Sequence, residues 1–299
     1  MKPKKLLLIL TGIIALMALI FFVGKKIKRS IEENIHREWV AGLDHSASKN
    51  VQILKDTIHI PYLDIKRTLA LYLPEGYDQD TVEYPVLYFL DGQSLFDQKI
   101  KEGTEWEVDE VLDSVAVAQG KNAIVIGIYN ADDRLVEYKP FPSDRIYSDK
   151  VVHGDKHADW IVKDLKPWID ERFRTKKDPA STIIGGASLA GLMSYYMLMT
   201  YPETFGAAIV FSPSFWVHEQ VYNLHETNDS LKSQRIYFDA GELETPTVES
   251  VYKMEEILLK AGMKREQIKT DIEPGEGHWH ATWVKGFKKA YPWILPAPN

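Results

Sequence analysis

From about Val51 to the C-terminus, short apolar segments alternate with amphipathic helical segments. Residues 85–90 and 123–128 are continuous apolar runs, which is typical of strands buried on both faces of a sheet. Because parallel strands need crossover helices between them, residues 51–299 are predicted to form one α/β domain with a mostly parallel central sheet and helices on both faces. The predicted strands are 51–60, 67–73, 85–90, 123–128, 182–184, 207–211, 235–238 and 267–272, and the predicted helices are 106–117, 155–173, 189–200, 248–261 and 281–290.

The N-terminus carries a different pattern. Residues 6–24 are almost entirely apolar or small, and lysine and arginine residues flank them on both sides. At about 1.5 Å per residue this run comes close to the roughly 30 Å hydrocarbon core of a bilayer. We predict an N-terminal transmembrane helix within residues 1–29, a tether over 30–50, and export of residues 51–299 to the periplasm or cell surface. The alternative is a cleaved signal peptide, which usually has a shorter apolar region.

Composition excludes several classes of function. The chain has no cysteine, which rules out a disulfide scaffold, a thiol nucleophile and a thiolate metal site. The first 30 residues hold seven of the 36 basic residues and none of the 43 acidic ones. The remaining 29 basic and 43 acidic residues give a net charge of −14, which argues against binding to a nucleic-acid backbone.

A strand–serine–helix segment, Ile-Ile-Gly-Gly-Ala-Ser-Leu-Ala-Gly at residues 183–191, points to nucleophilic chemistry. Small residues such as Gly186 and Gly191 let strand and helix pack closely, so Ser188 is expected to project from a strained corner. The usual pattern is G-x-S-x-G, and here Ala190 occupies the second glycine position. The alternative is a glycine-rich turn in which Ser188 caps the helix.

An oxyanion site needs two backbone N–H groups near the serine. The Leu189 N–H, at the start of the helix, is one candidate. The other is Gly92 or Gln93, in a turn that follows the predicted strand 85–90, since glycine lets the backbone approach closely. Asp91 in the same turn is expected to have a structural or substrate-positioning role.

A serine nucleophile also needs a base, and in this type of fold the chain order is serine, acid, histidine. The glycine-rich loop 274–280 follows the last predicted strand, and His278 there directly follows a glycine, so we favour it over His280. The histidines that follow the serine are His218, His225, His278 and His280.

The orienting acid is expected in the loop after the predicted strand 235–238. Asp239, Glu242 and Glu244 all fit that position, and the residues alone leave the three open. The His-x-His pair lacks a third ligand at suitable spacing, so neither a metal nor another cofactor is predicted.

Several sequence blocks resemble the esterase family of α/β hydrolases, which includes feruloyl and acetylxylan esterases, siderophore esterases and esterase D. The resemblance covers residues 67–291 and implies an α/β-hydrolase fold. The matching blocks are 84–96, 127–130 with Arg134 and 137–138, 165–170, the serine turn, 201–206 and 211–216.

The resemblance also implies roles for individual residues. In such esterases the acid lies three residues after the strand-end glycine, which corresponds to Glu244. The histidine precedes a tryptophan by five residues, as His278 precedes Trp283. Two residues depart from the family. Most members have glycine at the position of Ala190, and many have glutamate at the position of His280.

These observations predict a serine carboxylic ester hydrolase that forms an acyl-enzyme with a Ser188–His278–Glu244 triad. The expected substrate is a small-molecule or glycan ester of the siderophore, feruloyl or acetylated-carbohydrate kind, and the other expected partner is a membrane, through residues 6–24. The alternatives are a non-catalytic binding protein with the same fold, or a peptidase or lipase with the same triad. The substrate-positioning candidates are Asp91, Arg134, Trp216 and Trp279.

Overall fold

The computed structural model describes residues 3–143, 145–146 and 151–295, with side chains from residue 17 onward. Residue contacts divide the chain into two compact units, Met1–His45 and Ser46–Asn299. The first unit is dominated by helix α1, Pro3–Ala41. The expected tether at 30–50 is therefore largely helical, since α1 continues through its first twelve residues.

The predicted membrane anchor is not supported. Across the part of the chain that is described, no helix is both long and apolar enough to cross a bilayer. Side chains 6–16 of the predicted span lie outside the described residues. Among the described side chains of α1, a charged segment follows Gly24. The prediction of a membrane-anchored protein is therefore wrong.

A single eight-stranded sheet forms the second unit, in the order β1-β2-β4-β3-β5-β6-β7-β8. The pairs β1–β2 and β2–β4 are antiparallel, and all other neighbours are parallel. The mostly parallel sheet predicted from the sequence is confirmed. Its strands are β1 Val51–Ile60, β2 Ile65–Tyr72, β3 Val86–Leu90, β4 Ile124–Ile128, β5 Thr182–Ala187, β6 Ala207–Phe211, β7 Arg235–Gly241 and β8 Ile268–Glu273.

Helices cover both faces of this sheet. One predicted helix, 155–173, is divided by a π-helical segment, Ile161–Leu165. Pro167 follows this segment and has no N–H to continue the regular hydrogen-bond pattern, which accounts for the irregularity. The remaining α-helices are α2 Val108–Gln119, α3 Arg134–Glu137, α4 Gly154–Trp160, α5 Lys166–Arg172, α6 Leu189–Thr200, α7 Thr245–Lys260 and α8 His280–Ile294.

Two hydrophobic cores lie on opposite faces of the sheet. Along β3, Tyr88 and Leu90 belong to one core, whereas Leu87 and Phe89 belong to the other. This alternation follows from the two-residue period of a strand. Helices α4 to α7 pack on the first face and α2 and α8 on the second, so the central strands are apolar throughout.

The parallel strands β5, β6, β7 and β8 are neighbours and end at the same edge of the sheet. Ser188 follows β5, Ser212 follows β6, Glu244 follows β7 and His278 follows β8. Adjacent strands lie about 4.8 Å apart. Residues that are distant in sequence are therefore gathered at one edge.

Candidate active site

Ser188 lies at a sharp corner between β5 and α6. Its backbone has φ 62° and ψ −121°, a conformation that costs a non-glycine residue about 1–3 kcal/mol. The Ser188 N–H donates to the carbonyl oxygen of Phe211 at 2.9 Å, and the Ser214 N–H donates to the Ser188 carbonyl oxygen at 3.1 Å. The strained corner expected from the sequence is present, and the end of β6 holds it in place.

Glycines beside this corner allow the strand and the helix to approach each other. A Cβ on Gly186 would lie 2.6 Å from the Cβ of Ala190, and one on Gly191 would lie 2.7 Å from the carbonyl oxygen of Phe211. Cβ atoms do not tolerate such contacts. Ala190 is accommodated in place of the usual glycine because Gly186, opposite it, has no side chain.

The oxyanion-site candidates lie at two strand ends. Leu189 begins helix α6, where the first backbone N–H groups have no partner within the helix. Gly92 begins a short 3-10 turn after β3, and a Cβ there would lie 2.2 Å from the backbone carbon of Gly127. Position 92 thus requires glycine because the turn packs directly on β4. The sequence had suggested a different reason, a close approach of the Gly92 backbone to a substrate. The Gln93 side chain is bonded to Asn130.

His278 and Glu244 are in direct contact. The distance from His278 Nδ1 to Glu244 Oε2 is 2.5 Å. The other carboxylate oxygen, Oε1, accepts from the Gly241 N–H at 2.9 Å and from the Ser212 hydroxyl at 2.7 Å. Burial acts to raise the pKa of Glu244, but these hydrogen bonds outweigh it and hold the pKa below its usual value. Glu244 is therefore an anion at neutral pH.

The imidazole of His278 is more accessible than its partner. Its side chain is 45% exposed, whereas that of Glu244 is 6% exposed. One side of the ring meets Trp283 edge to face, with centroids 5.4 Å apart. A buried carboxylate thus holds Nδ1, while a large part of the ring is open to a ligand.

The Ser188 hydroxyl points to a different partner. Its Oγ lies 3.3 Å from the Ser214 Oγ, and no hydrogen bond joins it to His278 in the described structure. The segment after β6 connects the two parts of the site, because Ser214 contacts Ser188 and Ser212 contacts Glu244. The structure thus pairs the predicted base with the predicted acid and leaves the serine bonded to a neighbour.

The other acids in the predicted loop do not contact His278. Asp239 is fully buried, and burial beside Glu273 raises its pKa to about 9. Glu242 accepts from the Gly275 N–H at 2.8 Å. Of the three acids that the residues alone left open, Glu244 is the one placed against the imidazole.

Asp91 and Arg134 form a bidentate ion pair across the ends of β3 and α3. Arg134 Nε lies 2.8 and 2.9 Å from the two Asp91 carboxylate oxygens, and Nη2 lies 2.6 Å from one of them. Nη2 also donates to the carbonyl oxygen of Ala187 at 3.1 Å. The pair therefore supports the residue that precedes Ser188, and a role towards substrate stays a prediction.

The two tryptophan candidates are exposed. Trp216 is 42% and Trp279 is 45% exposed. The Trp279 ring lies over Gly277, where a Cβ would come within 2.6 Å of it, and its Nε1 donates to Glu276 at 2.6 Å. Both rings are available for contact with a ligand.

A cluster of three carboxylates lies elsewhere in the chain. Glu105, Asp109 and Glu110 place carboxylate oxygens within 4.8 Å of one another at the start of α2. Acidic residues at a helix N-terminus are favoured by the helix dipole without any metal.

Comparison with known proteins assigns the family. The family model described as "Putative esterase" matches residues 60–294. The chain belongs to this esterase family. The match covers strands β2 to β8, the serine corner and the histidine loop, and it places the chain among the esterases.

Two bacterial proteins are similar to this chain. The uncharacterized protein YbbA of Bacillus subtilis is 28% identical over 240 residues, which cover 76% of this chain and 92% of YbbA. An endo-1,4-beta-xylanase/feruloyl esterase of Xylanibacter ruminicola is 25% identical over 236 residues, which cover 75% of this chain but 28% of that longer protein.

Solved structures share the α/β-hydrolase fold. A ferulic acid esterase matches 82% of this chain and 98% of its own, with a TM-score of 0.64 and 18% identity. An IroE-like serine hydrolase from Shewanella oneidensis matches 81% and 80%, with a TM-score of 0.63 and 21% identity. The enterobactin esterase FES from Shigella flexneri matches 84% and 60%, with a TM-score of 0.61 and 18% identity.

Sequence reasoning missed the two serines after β6. Ser212 and Ser214 both lie within the block 211–216, which was recognised as a family feature, but neither serine was given a role. The signal that could have found them is their position, directly after a buried strand next to the serine strand.

Proposed function

We propose that this protein is a serine carboxylic ester hydrolase that works through an acyl-enzyme, with Ser188 as nucleophile, His278 as base and Glu244 as orienting acid. The observation that carries the proposal is the short contact between His278 Nδ1 and Glu244 at the same edge of the sheet as the strained Ser188 corner. A carboxylate on Nδ1 fixes the tautomer whose Nε2 can accept a proton.

In the proposed reaction, the Ser188 hydroxyl leaves Ser214 and meets Nε2 of His278 when an ester binds. His278 takes the proton as Oγ attacks the carbonyl carbon, and then gives it to the departing alcohol. The anionic oxygen is bound by the Leu189 N–H and by a backbone N–H of Gly92 or Gln93. Water, deprotonated by His278, then releases the acid and restores Ser188.

The proposed substrate is an ester that carries an aromatic ring or a sugar, as in feruloyl, catecholate-siderophore or acetylated-glycan esters. The exposed rings of Trp216 and Trp279 offer flat apolar surfaces for such a group. Arg134, whose charge is balanced by Asp91, is 29% exposed at the same edge of the sheet and offers guanidinium N–H donors to a bound substrate. The names of the similar esterases favour the first two of these ester types.

The test is hydrolysis of a panel of aryl, feruloyl, acetyl-sugar and catecholate esters by the wild type and by Ser188→Ala. We expect turnover of at least one ester, and loss of about 10⁶ in kcat in the variant. Ser233→Ala, which changes an exposed serine outside the site, is the matched control and should keep full activity. Full activity in Ser188→Ala would overturn the proposal.

One observation favours a second candidate, a binding protein that kept the fold. The Ser188 hydroxyl is bonded to Ser214 rather than to His278. Such a protein would bind members of the same panel, measured by calorimetry, and hydrolyse none of them.

A further inference from the structure

We propose that Ser212 and Trp283 are positioning residues: the indole N–H fixes the direction of the Ser212 hydroxyl, and through it the orientation of Glu244 against His278. This inference rests on the proposed function, because it assigns the two residues to the base and acid of that reaction. In the described structure, no hydrogen bond joins either residue to the Ser188 hydroxyl.

The backbone of Ser212 is firmly held. It is the first residue after β6, it is fully buried, and its φ is 40°, which is unusual for a residue other than glycine. Its N–H donates to the carbonyl oxygen of Asp239 in the neighbouring strand at 2.7 Å. The Ser212 side chain therefore starts from a fixed point between the ends of β6 and β7.

The direction of the Ser212 hydroxyl follows from the chemistry of its two partners. Trp283 Nε1 lies 3.0 Å from the Ser212 Oγ, and an indole nitrogen can only donate. Oγ therefore accepts from Trp283, and its single proton is directed to Glu244 Oε1 at 2.7 Å. A carboxylate can only accept, so both hydrogen bonds require the same direction.

This arrangement determines which carboxylate oxygen of Glu244 faces His278. Its Oε1 receives the Ser212 hydroxyl and the Gly241 N–H, whereas Oε2 faces His278 Nδ1. Trp283 meanwhile packs edge to face against the imidazole. Trp283 thus reaches both members of the acid–base pair, one through Ser212 and the other through its ring.

Other charged groups on the adjoining elements are engaged elsewhere. Glu242 accepts from the loop backbone, and Glu276 is paired with Lys285. Asp239 holds its proton at neutral pH, because burial raises its pKa to about 9. Glu244 is therefore the charge in contact with His278, and a change in its hydrogen bonds should be visible in the pH dependence of catalysis.

The experiment is a double-mutant cycle on the pH profile of kcat/KM, using Ser212→Ala, Trp283→Phe and the double variant. Ser212→Ala should lower kcat/KM about tenfold, the contribution of one hydrogen bond to a charged group, with KM little changed. The acid limb should move to higher pH, because Glu244 loses a donor that disperses its charge. Trp283→Phe keeps a ring but loses the N–H, and should move the limb in the same direction by less.

The decisive measurement is the shift of the acid limb in the double variant. If the indole N–H acts through Ser212, Trp283→Phe produces no further shift of the acid limb once the hydroxyl is gone. Shifts that add in the double variant, or an unchanged profile in Ser212→Ala, would overturn the proposal. Trp293→Phe, on the same helix but packed against Tyr237, is the matched control and should leave the profile unchanged.

A failure of the positioning proposal can be distinguished from a failure of the proposed function. Titration of the His278 ring by NMR in a Ser188→Ala background reports the same coupling between Ser212 and Trp283 without any turnover. A wild type that hydrolyses no ester but shows this coupling would refute the proposed function and still support the positioning role of Ser212 and Trp283. A wild type that hydrolyses esters but shows no coupling between Ser212 and Trp283 would support the proposed function and refute the positioning role.

Discussion

At the scale of single residues, Glu244 is ionised inside the fold because three donors reach its two oxygens. The imidazole of His278 holds one oxygen, and the Gly241 N–H and the Ser212 hydroxyl hold the other. These bonds outweigh burial and lower the pKa of Glu244. The same carboxylate therefore contributes to stability and, in the proposed reaction, to catalysis.

Glu244→Gln tests both contributions. The amide keeps the shape but removes the charge that orients the imidazole, so we expect kcat to fall by about 10³–10⁴. Because the pKa of Glu244 is lowered in the fold, its stabilisation is present above its unfolded value and is lost as the pH falls through the folded value. Urea unfolding should show the variant less stable at pH 7 and the difference smaller at pH 3; an equal difference at both pH values would contradict this assignment.

Asp239 makes stability depend on pH in the opposite direction from Glu244. Its pKa is raised to about 9 by burial and by Glu273, so the folded state keeps a proton that the unfolded state loses above about pH 4. The contribution of Asp239 to the free energy of unfolding should therefore fall as the pH rises from about 4 to 9. Asp239→Asn removes this dependence, so its Tm should exceed that of the wild type by several degrees at pH 9 and by much less at pH 5. The exposed Asp78→Asn should not change the slope.

At the scale of secondary-structure elements, the site depends on how tightly turns pack against strands. Gly92 and Gly186 each lie where a Cβ would meet a neighbouring element within 2.6 Å. The sequence predicted the strands and the serine corner because apolar runs and small residues are local signals. It could not predict the Ser212–Trp283 hydrogen bond, because that contact joins residues 71 positions apart.

Gly92→Ala tests the packing of the turn on β4. The added methyl would lie 2.2–2.5 Å from the β4 backbone, so we expect a loss of about 3 kcal/mol or more in the free energy of unfolding. Gly275→Ala is the comparison, because φ there is +71° but the space is open. It should cost about 1 kcal/mol from the backbone alone. Equal losses in urea unfolding would contradict the steric explanation.

At the scale of the whole molecule, residues 46–299 contain the entire sheet and both hydrophobic cores. The α/β architecture could be predicted from the alternation of strands and helices, and the residues near Ser188 from their positions at strand ends. The predicted membrane anchor is contradicted, because within the described residues no helix is both long and apolar enough to cross a bilayer. In the described residues α1 continues into a charged segment.

Deletion of residues 1–45 tests the independence of this unit. We propose that the remaining chain folds, and its Tm should stay within about 2 °C of that of the full chain, since the sheet is intact. Deletion of residues 1–60 is the comparison, because it removes β1 and the Ser48 N–H bond to Asp109 at 2.6 Å. That chain should lose several degrees. A large loss on the first deletion would show that the sheet unit depends on α1.

The most direct test of the account is labelling of the full chain with a fluorophosphonate, which reacts with serines activated by a base, followed by peptide mass spectrometry. We predict one adduct, on Ser188, formed at a rate that falls strongly in His278→Ala and absent in Ser188→Ala. An adduct on another serine at full rate, or an unlabelled Ser188 in a chain that hydrolyses esters, would contradict it.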